Sequence, residues 1–356
     1  GRQSRPHHRR VARGRASPAP SGRTRNLRSE RRLQKIAEPA GELLASAAAR
    51  LAASSESPRL DAALLLAHVL GERREWIAAH SEAPVSMEQA KSFATLCERR
   101  AAGVPVAYLV GSAFFWGREF VVNEDVLVPR PETEHLVEDA LHFIRGPMRV
   151  LDVGTGCGAI ACTIAAQTPA VVDATDAARA AIEVATKNAR HLGVADRCRF
   201  YHGDLAEPVR AHRYDAVIAN LPYVPTEDLP KRPDPASFEP RAALDGGPDG
   251  LALYRRLLAQ LPPLNEEALI LLEAAPPTIE RLAHIVRTTL PNFVVSVHSD
   301  YANLPRYIRA TSAGCEGLRA GEAASESARS QDGERAENRA PASAGRARQA
   351  SAEPAA

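Results

Sequence analysis

Four short apolar runs each end in a group able to bind or orient a ligand. The first holds Val150, Leu151 and Val153 around Asp152 and leads into Gly154, Gly156 and Gly158. Glycines at alternate positions permit a sharp turn and let a ligand approach the backbone with no Cβ in the way. The small, apolar stretch 170–175 ends at Asp176, 24 residues beyond Asp152. That is near the spacing of about 20 at which an acid meets the ribose of a nucleotide-like ligand. A carboxylate can accept from both ribose hydroxyls. Aspartate is also a good helix N-cap, and Asp176 can fill both roles. Asp173 is the competing acid on the same run. The third run, 199–201, leads to Asp204, and the fourth, 214–219, ends in Asn220-Leu221-Pro222-Tyr223. Asn220 suits a turn before proline-rich residues, but a strand end is also where an amide side chain can face a ligand.

The elements needed to position these groups are buried parallel strands alternating with helices. The glycine turn predicts a helix from about Ala159, and the stretch after Asp176 predicts another to about Gly193. All four polar ends then fall on one edge of a sheet, where open α/β sheets bind ligands. Further along, the pattern predicts a helix over 251–261, a strand over 268–273 and a helix over 277–289. Strands over 293–297 and 307–310 close the sheet through one hairpin connection. Upstream, apolar residues recur at helical spacing (Leu43, Leu44, Ala47, Leu51, then Leu60, Leu64, Leu65, Val69), which predicts a small helical bundle, with Ser86 as the N-cap of one helix. The aromatic, alternating stretch 113–128 predicts a β-hairpin turning at Gly117-Arg118, with Phe114, Phe115 and Trp116 assigned to the core. Pro131 suits the first turn of a helix running to Phe143, and Glu132 and Glu134 complement its positive end.

Composition bounds the rest. A formal net charge of +2 over 356 residues gives no whole-molecule signal for nucleic acid. Cys97, Cys157, Cys162, Cys198 and Cys315 show no metal-like pairing, and their odd number fits a reducing compartment. No stretch approaches the roughly 18 apolar residues of a membrane span. The expected organisation is a disordered basic leader over 1–38, a helical domain over 39–112, the hairpin over 113–128, an α/β domain over 129–311 and a disordered tail over 312–356. An organellar transit peptide or a polyanion-binding arm would share the leader's composition.

The motifs resemble those of the class I S-adenosylmethionine-dependent methyltransferases, and more closely the protein-(glutamine-N5) methyltransferases acting on peptide chain release factors. VLVPRPETEHLVEDAL at 126–141 looks like that family's lead-in to its catalytic domain. LDVGTGCGAIACTIA looks like its first cofactor motif, YDAVIANLPYVP at 214–225 like its Asn-Pro-Pro-Tyr segment, and FEPRAALDGGPDGLALYRRLL at 238–258 like the stretch that follows. LDAALLLAHVLG at 60–71 and the segment 99–123 resemble its amino-terminal domain. The likeness runs from about Leu43 to Ala310.

That resemblance implies a Rossmann-like class I methyltransferase domain, a mostly parallel sheet with a C-terminal antiparallel hairpin strand, preceded by a small helical substrate-recognition domain and a β-hairpin. It implies S-adenosylmethionine as cofactor, held by Asp152, Gly154, Thr155, Gly156, Gly158, Asp176, Asp204, Leu205 and Asn220. Asn220, Leu221, Pro222 and Tyr223 become the catalytic and substrate-binding segment. An amide nitrogen is a poor nucleophile because its lone pair is delocalised. An Asn oxygen and a main-chain carbonyl can each accept one N–H of the NH₂ group and aim the lone pair at the methyl carbon, with Tyr223 offering a face for the planar amide. Arg130 and Thr133 are expected to shape the wall, and Glu239, Arg241 and Asp245-Gly246-Gly247 to order the acceptor slot.

The expected reaction is methyl transfer to the side-chain amide nitrogen of the glutamine in a release factor's Gly-Gly-Gln loop. The expected enzyme is a cytoplasmic monomer acting on a protein substrate, without metal, membrane or nucleic-acid partner. Leu221 stands at the family's first proline, which keeps the carbonyl but loses the fixed φ. Asn-Leu-Pro-Tyr also resembles methyltransferases acting on adenine in ribosomal RNA, so a nucleic-acid adenine or a ribosomal-protein glutamine is the alternative acceptor. A non-catalytic methyltransferase-like binding protein is the alternative of another class. Glu273-Ala274-Ala275-Pro276-Pro277 departs from the family's Glu-Ile-Gly-x-x-Gln.

Overall fold

The computed structural model describes residues 36–300 and 302–312. Most of the leader and tail expected at the two ends lies outside the described residues. Across the expected boundary between leader and helical domain, however, a short strand β1 (Ile36–Pro39) pairs antiparallel with β2 (Pro84–Ser86).

Between and after these come helices α1 (Ala40–Leu51), α2 (Pro58–Leu70), α3 (Arg74–Ala79), α4 (Met87–Ala101) and α5 (Val106–Val110). Their apolar faces bury Leu51, Leu65, Leu66, Ile77 and Phe93 against one another. Pro58 opens α2, and Gly71, at φ 70°, closes it in the left-handed conformation that glycine adopts without strain. Ser86 caps α4 as expected, in a reciprocal capping box with Gln89. Inside the bundle Arg100 Nε and Asp61 Oδ2 form an ion pair at 2.6 Å.

Strands β3 (Ser112–Phe115) and β4 (Arg118–Val121) form the expected hairpin. Its turn is Trp116-Gly117, one residue earlier than Gly117-Arg118, because Arg118 pairs with Phe115. Both turn residues have positive φ, 52° and 66°, the geometry of a two-residue turn that follows strand twist. Of the three aromatics, Phe115 is buried, whereas Phe114 points out from the other face of the strand and is 73% exposed. Strand alternation, not residue type, decides which of two adjacent aromatics enters the core.

The remainder is a three-layer α/β/α unit. Its elements are α6 (Thr133–Phe143), β5 (Arg149–Val153), α7 (Ala159–Gln167), β6 (Val171–Asp176), α8 (Arg179–His191), β7 (Cys198–His202), β8 (Tyr214–Ala219), α9 (Ala252–Ala259), β9 (Leu264–Glu273), α10 (Ile279–Thr289), β10 (Phe293–Ser299) and β11 (Pro305–Ser312). The strand order is β10-β11-β9-β8-β5-β6-β7, with β5–β9 mutually parallel along their pairings and β11 antiparallel to both its neighbours. Alternation divides the strand residues between two cores. Val150, Val172, Ile218 and Leu271 face α6, α7 and α8, whereas Leu151, Val153, Val217 and Leu272 face α9 and α10. The chain runs outward from β5 through β6 to β7, then crosses back to add β8 on the other side of β5. That reversal opens a crevice at the carboxyl ends of β5, β6 and β8. The register pairs Val153 with both Thr175 and Ala219, so the glycine turn, Asp176 and Asn220 begin at one level.

Candidate active site

The glycine turn is built from backbone bonds. Gly154 and Thr155 N–H groups both donate to the Thr175 carbonyl at 2.9 Å, which fastens the turn to the neighbouring strand end. Gly154 and Gly156 have φ of 75° and 55°, a conformation that carries no steric cost only for glycine. Gly158, at φ 83°, starts α7, and a Cβ on it would stand 3.1 Å from the Ala185 Cβ. Its role is therefore the close packing of α7 on α8.

Asp152 is fully buried. Its Oδ2 accepts from Thr155 Oγ1 at 2.6 Å and from Ala161 N at 3.2 Å, so it ties the turn to the first turn of α7. Burial pushes its carboxyl up to about 7, against the pull of those two hydrogen bonds. Asp176 is half-buried, with Oδ2 accepting from Gly156 N at 2.9 Å and Oδ1 from Ala178 N at 2.8 Å. Each oxygen keeps a lone pair for a further donor. Burial raises its pKa as well. Asp173, the competing acid, is committed elsewhere: it pairs with Arg149 at 2.6 Å and accepts from the Tyr214 hydroxyl at 2.7 Å.

A cavity of about 240 Å³ lies over this edge. Of the residues the sequence singled out, Gly154, Gly156, Asp176, Asp204, Leu205, Asn220, Leu221 and Pro222 line it together. Asp152, Thr155, Gly158 and Tyr223 lie behind the wall. Val126 and Leu127 from the linker, Ala243 from the 240s loop and Leu253 from α9 are among the other lining residues. Gly156 faces open space, with nothing within 4 Å of where its Cβ would be. A free carboxylate edge at Asp176, an open glycine backbone and an apolar lining suit a ribose, its polar tail and a planar base. Asp204 reaches the cavity rim while its Oδ2 pairs with Arg256 at 2.6 Å.

On the cavity wall, the Asn220 amide donates from Nδ2 to Thr133 Oγ1 at 2.9 Å. Thr133, at the start of α6, is buried. A hydroxyl that accepts from an amide has its own proton left to give, and the buried Glu273 carboxyl stands behind it. This arrangement fixes the amide so that Oδ1 is the atom left to accept from a ligand. Tyr223 is half-buried, with its hydroxyl 3.5 Å from Glu273 Oε1. It braces the loop from behind. The Thr133–Glu273 pair is invisible in sequence because the partners are 140 positions apart and neither alone carries a motif.

Burial pushes Glu273 up to about 7, opposed by the Thr133 hydroxyl and Arg306. A carboxyl raised above its unfolded value of 4.5 stays protonated in the fold after the unfolded chain has released its proton. Its contribution to stability therefore falls as pH rises from about 4.5 to about 7 and is flat beyond. Glu273→Gln cannot ionise, so its melting temperature relative to the parent should climb from pH 5 to pH 8 on this account, by roughly a few degrees. A pH-independent difference would show that Glu273 ionises normally.

The 240s loop presses on the same segment. A Cβ on Gly246 would lie 2.7 Å from the Pro222 carbonyl, and one on Gly250, at φ 74°, 2.3 Å from the Tyr223 carbonyl. Glu239 secures the loop to the linker by accepting from Val128 N at 3.3 Å and pairing with Arg130. Gly250→Ala should destabilise by roughly 2–4 kcal/mol in urea unfolding, since it adds both left-handed strain and a backbone clash. A loss below that of Gly71→Ala, where no atom lies within 4 Å, would contradict the tight approach.

Among the described residues no group of three or more His, Cys, Asp or Glu is placed to hold a metal ion, and no helix is long and apolar enough to cross a membrane.

Two family models match in the order of the architecture: the PrmC N-terminal domain over residues 42–111 and the methyltransferase small domain over 134–231. A protein of Bordetella pertussis named release factor glutamine methyltransferase is 45% identical over 209 residues, 58% of this chain and 77% of that protein. A Bacillus cereus protein of the same name is 37% identical over 255 residues, 69% of this chain and 89% of its own length. One from Moorella thermoacetica is 43% identical over 221 residues, 61% of this chain and 78% of its own. The methyltransferase small domain match takes in the glycine turn, Asp176 and the Asn220 loop together. The chain belongs to the release factor glutamine methyltransferase family.

Proposed function

We propose that this protein transfers the methyl group of S-adenosylmethionine to the side-chain amide nitrogen of the glutamine in the Gly-Gly-Gln loop of peptide chain release factors. The observation that carries this reading is the Asn220 amide, locked by Thr133, on the wall of a cavity that Asp176 and the open glycine turn also line. When bound, S-adenosylmethionine supplies an activated methyl group on a sulfonium. The chain's own part is positioning. Asp176 accepts from the ribose hydroxyls, Gly154 and Gly156 leave room for the cofactor's tail, and Leu205 and Leu253 flank the base. Asn220 Oδ1 and the Leu221 carbonyl accept the two N–H bonds of the glutamine amide and turn its lone pair toward the methyl carbon. Those two acceptors also stabilise the positive charge that grows on nitrogen during transfer. No residue need take a proton before transfer, because the charged product can lose one to water.

We further assign substrate recognition to the helical unit 39–112 and catalysis to 129–311, in a monomer of a reducing, cytoplasmic compartment. The buried thiols of Cys97, Cys157, Cys162 and Cys198, unpaired among the described residues, support that compartment. Labelled S-adenosylmethionine, supplied with an intact release factor, its Gln→Ala version and bulk ribosomal RNA, tests the reading. Label on the intact factor alone is the expected result. Label on RNA would move the acceptor to adenine, and none anywhere, with cofactor still bound, would leave a binding protein.

A further inference from the structure

Leu221 precedes Pro222, and a residue before proline is held to extended backbone. In that conformation its N–H and C=O point to the same side, and both meet one atom. Leu221 N donates to the Tyr254 hydroxyl at 3.1 Å, and the Leu221 carbonyl lies 3.3 Å from that same oxygen. Tyr254 sits on α9 and is fully buried. Its hydroxyl also contacts the Glu273 main-chain carbonyl at the end of β9, closer than it approaches Leu221. A carbonyl oxygen carries two lone pairs, so whichever carbonyl takes the phenol proton, that of Leu221 keeps one for another donor.

We infer that Tyr254 is a positioning residue for methyl transfer: its phenol pins the Leu221 backbone between α9 and β9 and so fixes the carbonyl that receives the acceptor amide. This rests on the Asn220–Tyr223 loop being the acceptor site. The Leu221 side chain adds a second anchor, since it is buried and would stand 2.8 Å from a Cβ on Gly154. A proline at 221 would be the alternative device, fixing φ through its ring and removing the N–H that needs a partner. A proline Cδ replaces the amide hydrogen and would project into the Tyr254 hydroxyl, which already lies 3.1 Å from the nitrogen.

The test is a cycle of Tyr254→Phe, Leu221→Pro and the double variant, made in the full-length protein. Tyr254→Phe removes the hydroxyl and leaves the Leu221 N–H buried without a partner. It should lower kcat about tenfold with the acceptor KM within about twofold, and speed hydrogen exchange at the Leu221 amide in the substrate-free protein by at least about tenfold. Leu221→Pro alone should be as damaging, through the clash. The double variant should be at least about threefold faster than either single variant, because the hydroxyl that a proline ring would strike is gone and no orphan N–H remains. Leu221→Ala in the Tyr254→Phe background keeps the orphan N–H and should recover nothing.

A double variant no faster than Tyr254→Phe, with parental cofactor affinity, would overturn the inference. Unchanged Leu221 exchange in Tyr254→Phe would do so as well, whatever the kinetics. If the parent itself methylates no glutamine, the functional reading fails, while the exchange measurement still decides whether Tyr254 holds this backbone.

Discussion

Asn220→Ala should lower kcat for glutamine methylation by about 10²–10³-fold, the usual cost of deleting one preorganised polar group aimed at developing charge. Affinity for S-adenosylmethionine, measured by calorimetry, should stay within about twofold of the parent, since Asp176, the acid assigned to the ribose, ends β6 and Asn220 follows β8, with β5 between them. The size of the effect follows from the acceptor's chemistry. An amide nitrogen attacks only when its lone pair is turned out of conjugation, and two acceptors are needed to hold both its N–H bonds. With Asn220 gone, the Leu221 carbonyl alone leaves the NH₂ group free to rotate.

The same logic gives Thr133 a graded role. Thr133 Oγ1 accepts from Asn220 Nδ2 at 2.9 Å, and this is what makes Oδ1 rather than the NH₂ face the cavity. Thr133→Val keeps the shape but lets the amide flip, which would present donors to a donor. It should cost about tenfold in kcat, and Thr133→Ser should restore most of it. Equal activity in all three would mean that the amide is oriented by something other than Thr133. A loss of cofactor affinity in Asn220→Ala equal to its loss of turnover would place Asn220 among the cofactor ligands.

The parts legible in the sequence are those with a local signal. The glycine turn, Asp176 and Asn220 each sit where an apolar run stops, so a short apolar run followed by a glycine or polar residue locates them without any knowledge of the fold. The capping box at Ser86 and Gln89 is likewise contained within four residues. What the sequence could not separate is contact with a ligand from support of a group that makes contact. Asp152 and Asp176 look equivalent as acids on apolar runs, yet one is sealed under the turn and the other faces the cavity. The pattern says only that each lies near the carboxyl end of a strand. Thr133, Tyr254 and Glu273 escape for a different reason. Each is joined to the loop across the layers of the fold, through hydrogen bonds between residues far apart in sequence, and Tyr254 in the run LALYRRLLA reads simply as a helix core position. The hairpin shows the limit of residue type: Phe114 and Phe115 are the same side chain, and only pairing register tells which is buried.

Asp176→Ala should reverse the pattern of Asn220→Ala, weakening S-adenosylmethionine binding about a hundredfold while kcat at saturating cofactor stays within a few-fold. Two charge-assisted hydrogen bonds to the ribose, at roughly 1.5–3 kcal/mol each, allow a loss of that order. Part of the loss is indirect. Asp176 also accepts from Gly156 N and Ala178 N, so the alanine variant loosens the turn as well as deleting the ligand acceptors. Asp176→Asn separates the two parts, because one amide oxygen can hold one of those N–H groups but no longer accepts from both hydroxyls. Its affinity should fall between parent and alanine, with a melting temperature close to the parent's. Burial holds the Asp176 pKa above the ordinary carboxylate value. Ribose hydroxyls bind the charged form, so cofactor affinity should begin to fall, as pH is lowered, earlier than an ordinary aspartate would require. That inflection should be missing in Asp176→Asn. An Asp176→Ala protein with parental affinity would show that the ribose is held by another group, and Asp173, locked to Arg149 and Tyr214, is not free to be it.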